Sequence, residues 1–195
     1  MKIDCTDMAC PQPVLEVKKA LEEIKEDGIL EVKLNTLSSI ENCKRFAINN
    51  GYEIRENKLE DGTTILAVIK GYPCDLPQEK SGNFSNKTFF IKSNSIGSGE
   101  LGKKLMTGFI KTALELPVLP KNIIFVNEGV LLSTKDENKE IIESLKKLEQ
   151  KGVAIYSCGL CLSAFGMDAN DLKAGVVGNA YETLLMLTNS EVVSL

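Results

Sequence analysis

From Gly71 to Lys87 the sequence loses every apolar period, and Pro73, Pro77 and Gly82 stand among polar residues. Such a stretch offers no core face, so it reads as a linker. The patterned residues on either side must then build separate cores, over 1–70 and 88–195. About seventy residues is small for a domain but within the range that folds alone.

The first unit reads βαβαββ. Residues 2–5 form a short strand, and a loop through Ala9 leads to Cys10. Val14, Val17, Leu21 and Ile24 then recur at helical spacing, with Glu16, Lys18, Lys19, Glu22, Glu23 and Lys25 on the other face, until Gly28 ends the helix. Leu30, Val32 and Leu34 alternate with Glu31 and Lys33, the period of a strand with one buried face. A second helix from near Ser38 buries Ile40, Cys43, Phe46 and Ala47 and stops at Asn50-Gly51. Strands over 52–56 and 63–69, joined by a turn at Asp61-Gly62, complete a two-layer α/β sandwich.

From Thr88 the pattern becomes alternating strand and helix: strands over 88–92, 122–126 and 153–157, helices over 100–116 and 136–150, then Val176-Val177, a helix over 181–187 and Val192-Val193. This order predicts a mostly parallel sheet in a three-layer α/β domain. Ligand sites in such sheets lie at the carboxyl ends of the strands, which here carry Ser93-Asn94-Ser95, Asn127-Glu128 and Ser157-Cys158.

Composition removes several chemistries. In a chain of 195 residues, 43% hydrophobic and 26% charged, there is no histidine, so Ser-His-Asp hydrolysis, Cys-His proteolysis and histidine metal sites are excluded. A net charge of −4 with dispersed Lys and Arg gives no footprint for nucleic acid or an anionic membrane. No apolar run reaches membrane-span length and no secretory leader pattern opens the chain, so a cytoplasmic protein is expected. Six cysteines in that compartment are expected to be thiols.

Cys10 stands directly before Pro11-Gln12-Pro13 at a helix start. Proline at the first helical positions costs no hydrogen bond, and the amides of Gln12 and Val14, with the positive end of the helix dipole, are expected to favour a thiolate at Cys10. Pro11 or Pro13 is the expected first helical residue. The pattern alone equally admits a small apolar residue packed beneath the helix.

Asp4 followed by Cys10-Pro11-Gln12-Pro13-Val14, within a βαβαββ unit, resembles the TusA or SirA-like sulfur-carrier family. That resemblance implies a persulfide on Cys10. The family pattern usually has glycine three residues before the cysteine; this chain has Asp7, a residue type that tolerates positive φ better than most.

Cys158-Gly159-Leu160-Cys161 follows the third strand of the second unit. The spacing suits a dithiol redox pair, one working thiol with a neighbour, or half of a zinc site, for which no second C-x-x-C exists. With Gly97-Ser98-Gly99-Glu100-Leu101-Gly102, Phe125-Val126-Asn127-Glu128-Gly129-Val130 and Val177-Gly178-Asn179, it resembles the DsrE-like sulfur-relay fold. The linked pair resembles the YedF-like family of sulfurtransferase-like proteins associated with selenium metabolism. Resemblance implies a relay of sulfur or selenium as a covalent adduct between Cys10 and Cys158 or Cys161, with no separate cofactor or metal. It also implies a donor such as a cysteine desulfurase, a downstream acceptor, and homo-oligomers through the DsrE-like domain. Asp4, Pro11, Gln12, Pro13, Asn94, Gly97, Gly99 and Asn127 are the candidate supporting positions.

Two other readings stay open. Cys158 and Cys161 could form a regulatory disulfide in a redox-responsive interaction module, with Cys10 structural. Gly97, Gly99 and Gly102 satisfy a dinucleotide-loop spacing, although Lys104 stands where a P-loop needs a hydroxyl. Cys43 reads as core and Cys74 as an incidental linker thiol. Cys5, at a strand end near Cys10, could form a transient disulfide with it.

Overall fold

The computed structural model describes residues 1–71 and 84–195. Cys74 and most of the expected linker lie outside the described residues. The chain divides into two compact units, Met1–Glu79 and Lys80–Leu195.

The first unit contains β1 (Lys2–Asp4), α1 (Gln12–Glu23), β2 (Gly28–Leu34), α2 (Leu37–Asn49), β3 (Glu53–Lys58) and β4 (Thr64–Lys70). The sheet order is β1-β2-β4-β3, with β1 parallel to β2 and the other pairs antiparallel. Leu30, Val32 and Leu34 are fully buried, as are Leu66 and Val68 opposite them. Both helices cover that face, α1 through Val14, Val17, Ala20 and Leu21 and α2 through Ile40, Cys43, Phe46 and Ala47. Thr36 starts α2 by accepting the Ser39 amide on its hydroxyl, which satisfies one orphan donor of the first turn.

The second unit contains β5 (Phe84–Ile91), α3 (Gly99–Thr112), β6 (Leu119–Phe125), α4 (Lys139–Gln150), β7 (Ala154–Cys158), α5 (Gly159–Ala164), β8 (Val176–Gly178), α6 (Ala180–Thr188) and β9 (Glu191–Ser194). The five strands are all parallel, in the order β8-β7-β6-β5-β9. Ile91, Ile123, Phe125, Ile155 and Val177 form one core with Met106 and Ile110 of α3 and Ile141, Leu145 and Leu148 of α4. The return from β8 to β9 reverses direction, and right-handed crossovers then carry α6 over the opposite face. On that face Thr88 and Asn122 are buried, and the Thr88 hydroxyl accepts from Asn122 Nδ2 and from Ser190 Oγ.

Two expected boundaries are corrected. β5 begins at Phe84, not Thr88, so the strand enters what the sequence marks as linker. Its register shifts between Ser85 and Thr88, opposite Pro120, which has no N–H for the ladder. That shift, with the polar run Ser85-Asn86-Lys87, breaks the alternation that reveals a strand. The strand expected over 122–126 runs instead over Leu119–Phe125, and Asn127–Ser133 after it form a 3-10 segment.

This segment is pressed onto the end of the sheet. The Val126 amide donates to Ile91 O, and a Cβ built on Gly129 would lie 2.5 Å from the same carbonyl oxygen. Gly129→Ala is therefore expected to destabilise the second unit by about 1–3 kcal/mol, because backbone cannot swing aside. Urea unfolding measures it, and an unchanged midpoint would show that the segment has room to move.

Candidate functional site

Cys10 owes its setting to two side-chain locks in the loop after β1. Asp4 Oδ1 accepts from the Thr6 amide at 2.9 Å and the Thr6 hydroxyl at 2.7 Å. The amide first, then the hydroxyl, and at longer range Lys33, hold the Asp4 carboxyl below the usual carboxylate value. Asp7 occupies the left-handed region, φ 59°. Its amide donates to Asn35 Oδ1 at 3.1 Å, and Asn35 Nδ2 donates back to Asp7 Oδ1 at 2.7 Å. An aspartate thus holds the conformation for which glycine is the usual choice, steadied from the end of β2. Sequence reading missed Asn35, because its partner lies 28 residues away; the only local signal is an Asn between a strand and a helix cap.

The helix start differs in detail from the expectation. Pro11 is the cap residue, Gln12 the first helical residue and Pro13 the second, buried one. The amides of Gln12 and Val14 are not available to Cys10: Gln12 N donates to Ala9 O at 2.9 Å and Val14 N to Pro11 O at 3.1 Å. Tight 3-10-type bonding at a helix end has consumed them. The Gln12 side chain donates to Glu16 one turn on. Cys10 itself is half-exposed, one residue before the cap and near the positive end of the α1 dipole.

None of the five described cysteines is in a disulfide. Cys43 is fully buried on α2. Cys5 is 2% exposed, and burial first, then the charges of Glu16 and Asp4, push its thiol up to about 11. A buried neutral thiol is a poor nucleophile, and among the described residues of the first unit Cys10 is the one cysteine that is not buried.

In the second unit Cys158 is the last residue of β7 and the cap of α5, while Cys161 lies inside α5; both are half-buried. Leu162, fully buried, anchors the helix to the core. Cys161 Sγ accepts a hydrogen bond from the Asn127 amide at 3.1 Å. Asn127 is left-handed, φ 50°, so the structure brings two of the expected residues together. The buried Ser133 and Ser157 hydroxyls share a hydrogen bond at 2.8 Å, tying the 3-10 segment to β7 one residue before Cys158. Ser133 had no signal in the sequence.

The glycine loop after β5 has the expected backbone, with φ 80° at Gly97 and 68° at Gly99. Both are exposed, Gly97 ahead of α3 and Gly99 as its first residue, and lie away from the cysteine pair in strand order, since β6 separates β5 from β7. Asn94 is half-buried and, among the described residues, makes no side-chain hydrogen bond. The strand-order reversal lies between β5 and β9, so Cys158 is on the carboxyl edge of the sheet but not at its switch point. No group of three Cys, Asp or Glu side chains placed for a metal ion occurs among the described residues, and no described helix is long and apolar enough to cross a membrane.

Asn35→Ala is expected to lower the stability of the first unit by about 1 kcal/mol and to speed hydrogen exchange at the Asp7 amide; unchanged exchange would show that the reciprocal pair does not hold the loop. Cys5 makes a pH prediction. Between its ordinary value of 9.0 and about 11 the folded chain keeps a proton that the unfolded chain releases. Stability therefore falls as pH rises through that window, by up to about 1.4 kcal/mol per pH unit from this group. Denaturant titrations of the chain and of Cys5→Ala check it: the extra alkaline slope should vanish in the variant, and equal slopes would contradict it.

Residues 1–70 match the family model described as Sulfurtransferase TusA, and residues 87–193 match the DsrE/DsrF-like family. A Methanocaldococcus jannaschii protein named as a candidate sulfur carrier is 53% identical over 53 residues, 27% of this chain and 71% of that protein. An uncharacterised protein of the same organism is 25% identical over 184 residues, covering 89% of this chain and 64% of the relative. Among solved structures, a SirA-like protein from Desulfitobacterium hafniense aligns at TM-score 0.35 and 28% identity, over 36% of this chain and 97% of its own. A Methanobacterium thermoautotrophicum protein of unknown function aligns at 0.42 and 19% identity, over 56% and 97%. The chain belongs to the DsrE/DsrF-like family through residues 87–193, with a TusA-family sulfurtransferase domain in residues 1–70 ahead of it.

Proposed function

We propose that the protein is a sulfur-relay protein in which Cys10 accepts a sulfane sulfur and the cysteine pair of the second domain exchanges it. The two family memberships and the relative named as a candidate sulfur carrier support the relay role. The observation that carries the choice of Cys10 is its half-exposed place on a loop locked at Asp4 and Asp7, while Cys5 and Cys43 are buried.

The chemistry is thiol exchange with a sulfane sulfur as the electrophile. The Cys10 thiolate attacks the terminal sulfur of a donor persulfide; the donor's S–S bond breaks, a new S–S bond forms on Cys10, and the donor cysteine leaves as a thiolate. No net oxidant is consumed, and no histidine is needed. Passage to the second domain repeats the step with Cys10 as the leaving group. A cysteine desulfurase is the proposed class of donor, and selenium in place of sulfur would follow the same exchange. Assembly into homo-oligomers through the second domain belongs to the same proposal.

The chain is to be incubated with a cysteine desulfurase and cysteine, and its non-reduced peptides weighed. One added sulfur atom on the Cys10 peptide is expected, lost in Cys10→Ala. An unmodified Cys10 peptide, beside a control acceptor that the same desulfurase loads, would overturn the reading.

A further inference from the structure

The parallel pairing of β1 with β2 runs from Lys2 opposite Glu31 to Asp4 opposite Lys33, and the Cys5 amide adds a further rung to Lys33 O at 2.9 Å. In a parallel ladder alternate amides face the neighbouring strand, so the next rung would run from the Asp7 amide to the carbonyl of Asn35. Both segments leave the sheet at that point. Asp7 turns left-handed, and Asn35 precedes Thr36, the cap of α2. The rung is made all the same, with side chains: Asn35 Oδ1 takes the Asp7 amide at 3.1 Å, and Asn35 Nδ2 returns a bond to Asp7 Oδ1 at 2.7 Å. We infer that Asp7 and Asn35 are positioning residues for the sulfur step, their reciprocal pair holding the loop that presents Cys10 to a persulfide on a donor protein. This rests on the sulfur-relay reading and adds to it the residues that place the thiol.

The pair closes the open side of the Cys10 loop. Before it, Asp4 holds Thr6 through amide and hydroxyl; after it, the Gln12 amide donates to Ala9 O at 2.9 Å and α1 begins. Cys10 therefore stands between a latch onto the end of β2 and the first turn of a helix packed on the same sheet. Asp7 and Asn35 are both exposed, so the pair supplies conformation and not core packing. Glycine at position 7 would take the same φ freely, but it would leave Asn35 Nδ2 without the oxygen that answers it. The side chain of Asp7, and not its backbone angle alone, completes the latch.

In the step itself the Cys10 thiolate attacks the terminal sulfur of the donor persulfide, Cys10–S–SH forms, and the donor cysteine leaves as a thiolate. Attack runs in line with the breaking S–S bond. When both sulfurs are carried by proteins, that alignment depends on how each thiol is held, and a loop free to swing loses rate. A small soluble electrophile reaches a mobile thiol from any open side and makes no such demand.

The test uses the full chain with two reagents, a cysteine desulfurase supplied with cysteine and the small alkylating agent iodoacetamide, each followed by mass on the Cys10 peptide. Asn35→Ala and Asp7→Gly should each slow sulfur uptake at saturating desulfurase about fivefold, the net worth of a hydrogen bond expressed as a rate. Alkylation should stay close to that of the unmodified sequence, because the thiol is still there and the chain still folded. The double variant should be no slower than either single one, since both break the same pair. Exchanging the residues, Asp7→Asn with Asn35→Asp, keeps an amide opposite a carboxylate and a residue type that bears left-handed backbone, and should restore uptake. Asn35→Asp alone sets two acidic side chains against each other and should not. Because the exchange moves the carboxylate to position 35, rescue separates the latch from a direct contact between Asp7 and the donor. Uptake at the unmodified rate in both single variants, an exchanged pair as slow as they are, or alkylation slowed in step with uptake would each overturn the assignment and leave the relay reading of Cys10 standing. No sulfur on Cys10 of the unmodified sequence would overturn both.

Discussion

Left-handed backbone at two non-glycine residues is the constraint that shapes the segments around both candidate cysteine sites. Among the described residues only Asp7 and Asn127 carry it outside glycine, at φ 59° and 50°. Each lies in a different domain and each shapes the segment that serves a cysteine. Asp7 turns the chain so that α1 begins just after Cys10, and Asn127 turns an amide onto Cys161. Asp and Asn are the residue types that bear this conformation most cheaply after glycine, and unlike glycine they bring a side chain. Asp7 uses its own to take a bond back from Asn35, so the strained residue is also the lock.

Burial sorts the remaining thiols. Cys43 sits in the α2 face of the core, and Cys5 sits where desolvation and two carboxylates keep it protonated. The nearest cysteine in sequence to Cys10 is thereby removed from competition, which disfavours the transient Cys5–Cys10 disulfide that sequence proximity suggests. In the second domain the parallel sheet does the equivalent sorting. It brings the ends of β6 and β7 side by side, so that a residue following one strand can bond a residue following the other.

Much of this was legible in the residues. Alternating Leu30, Val32 and Leu34 gave β2, helical spacing gave α1, and the repeated strand and helix pattern gave a parallel sheet, because each signal is local and repeats. Cys10 before Pro-x-Pro was legible for the same reason. The hidden parts are those where one distant contact overrides a local rule. Phe84–Lys87 joins β5 because β6 is there to pair with it, despite polar residues and a register shift. The amides of Gln12 and Val14 looked available from helix rules, yet the turn at Ala9 and Pro11 uses both. Asn35 and Ser133 act across 28 and 24 residues, separations that no periodicity encodes.

The central proposal is that sulfur passes through Cys10 to the Cys158 and Cys161 pair, in that order. The most direct measurement loads the full chain with isotopically labelled sulfur from a cysteine desulfurase, quenches by alkylation at increasing times, and follows the label on both peptides. The account predicts that label appears on the Cys10 peptide first and on the peptide holding Cys158 and Cys161 afterwards, and that Cys10→Ser abolishes labelling of that second peptide by this donor. Label reaching the peptide holding Cys158 and Cys161 as fast in Cys10→Ser as in the unmodified sequence would contradict it.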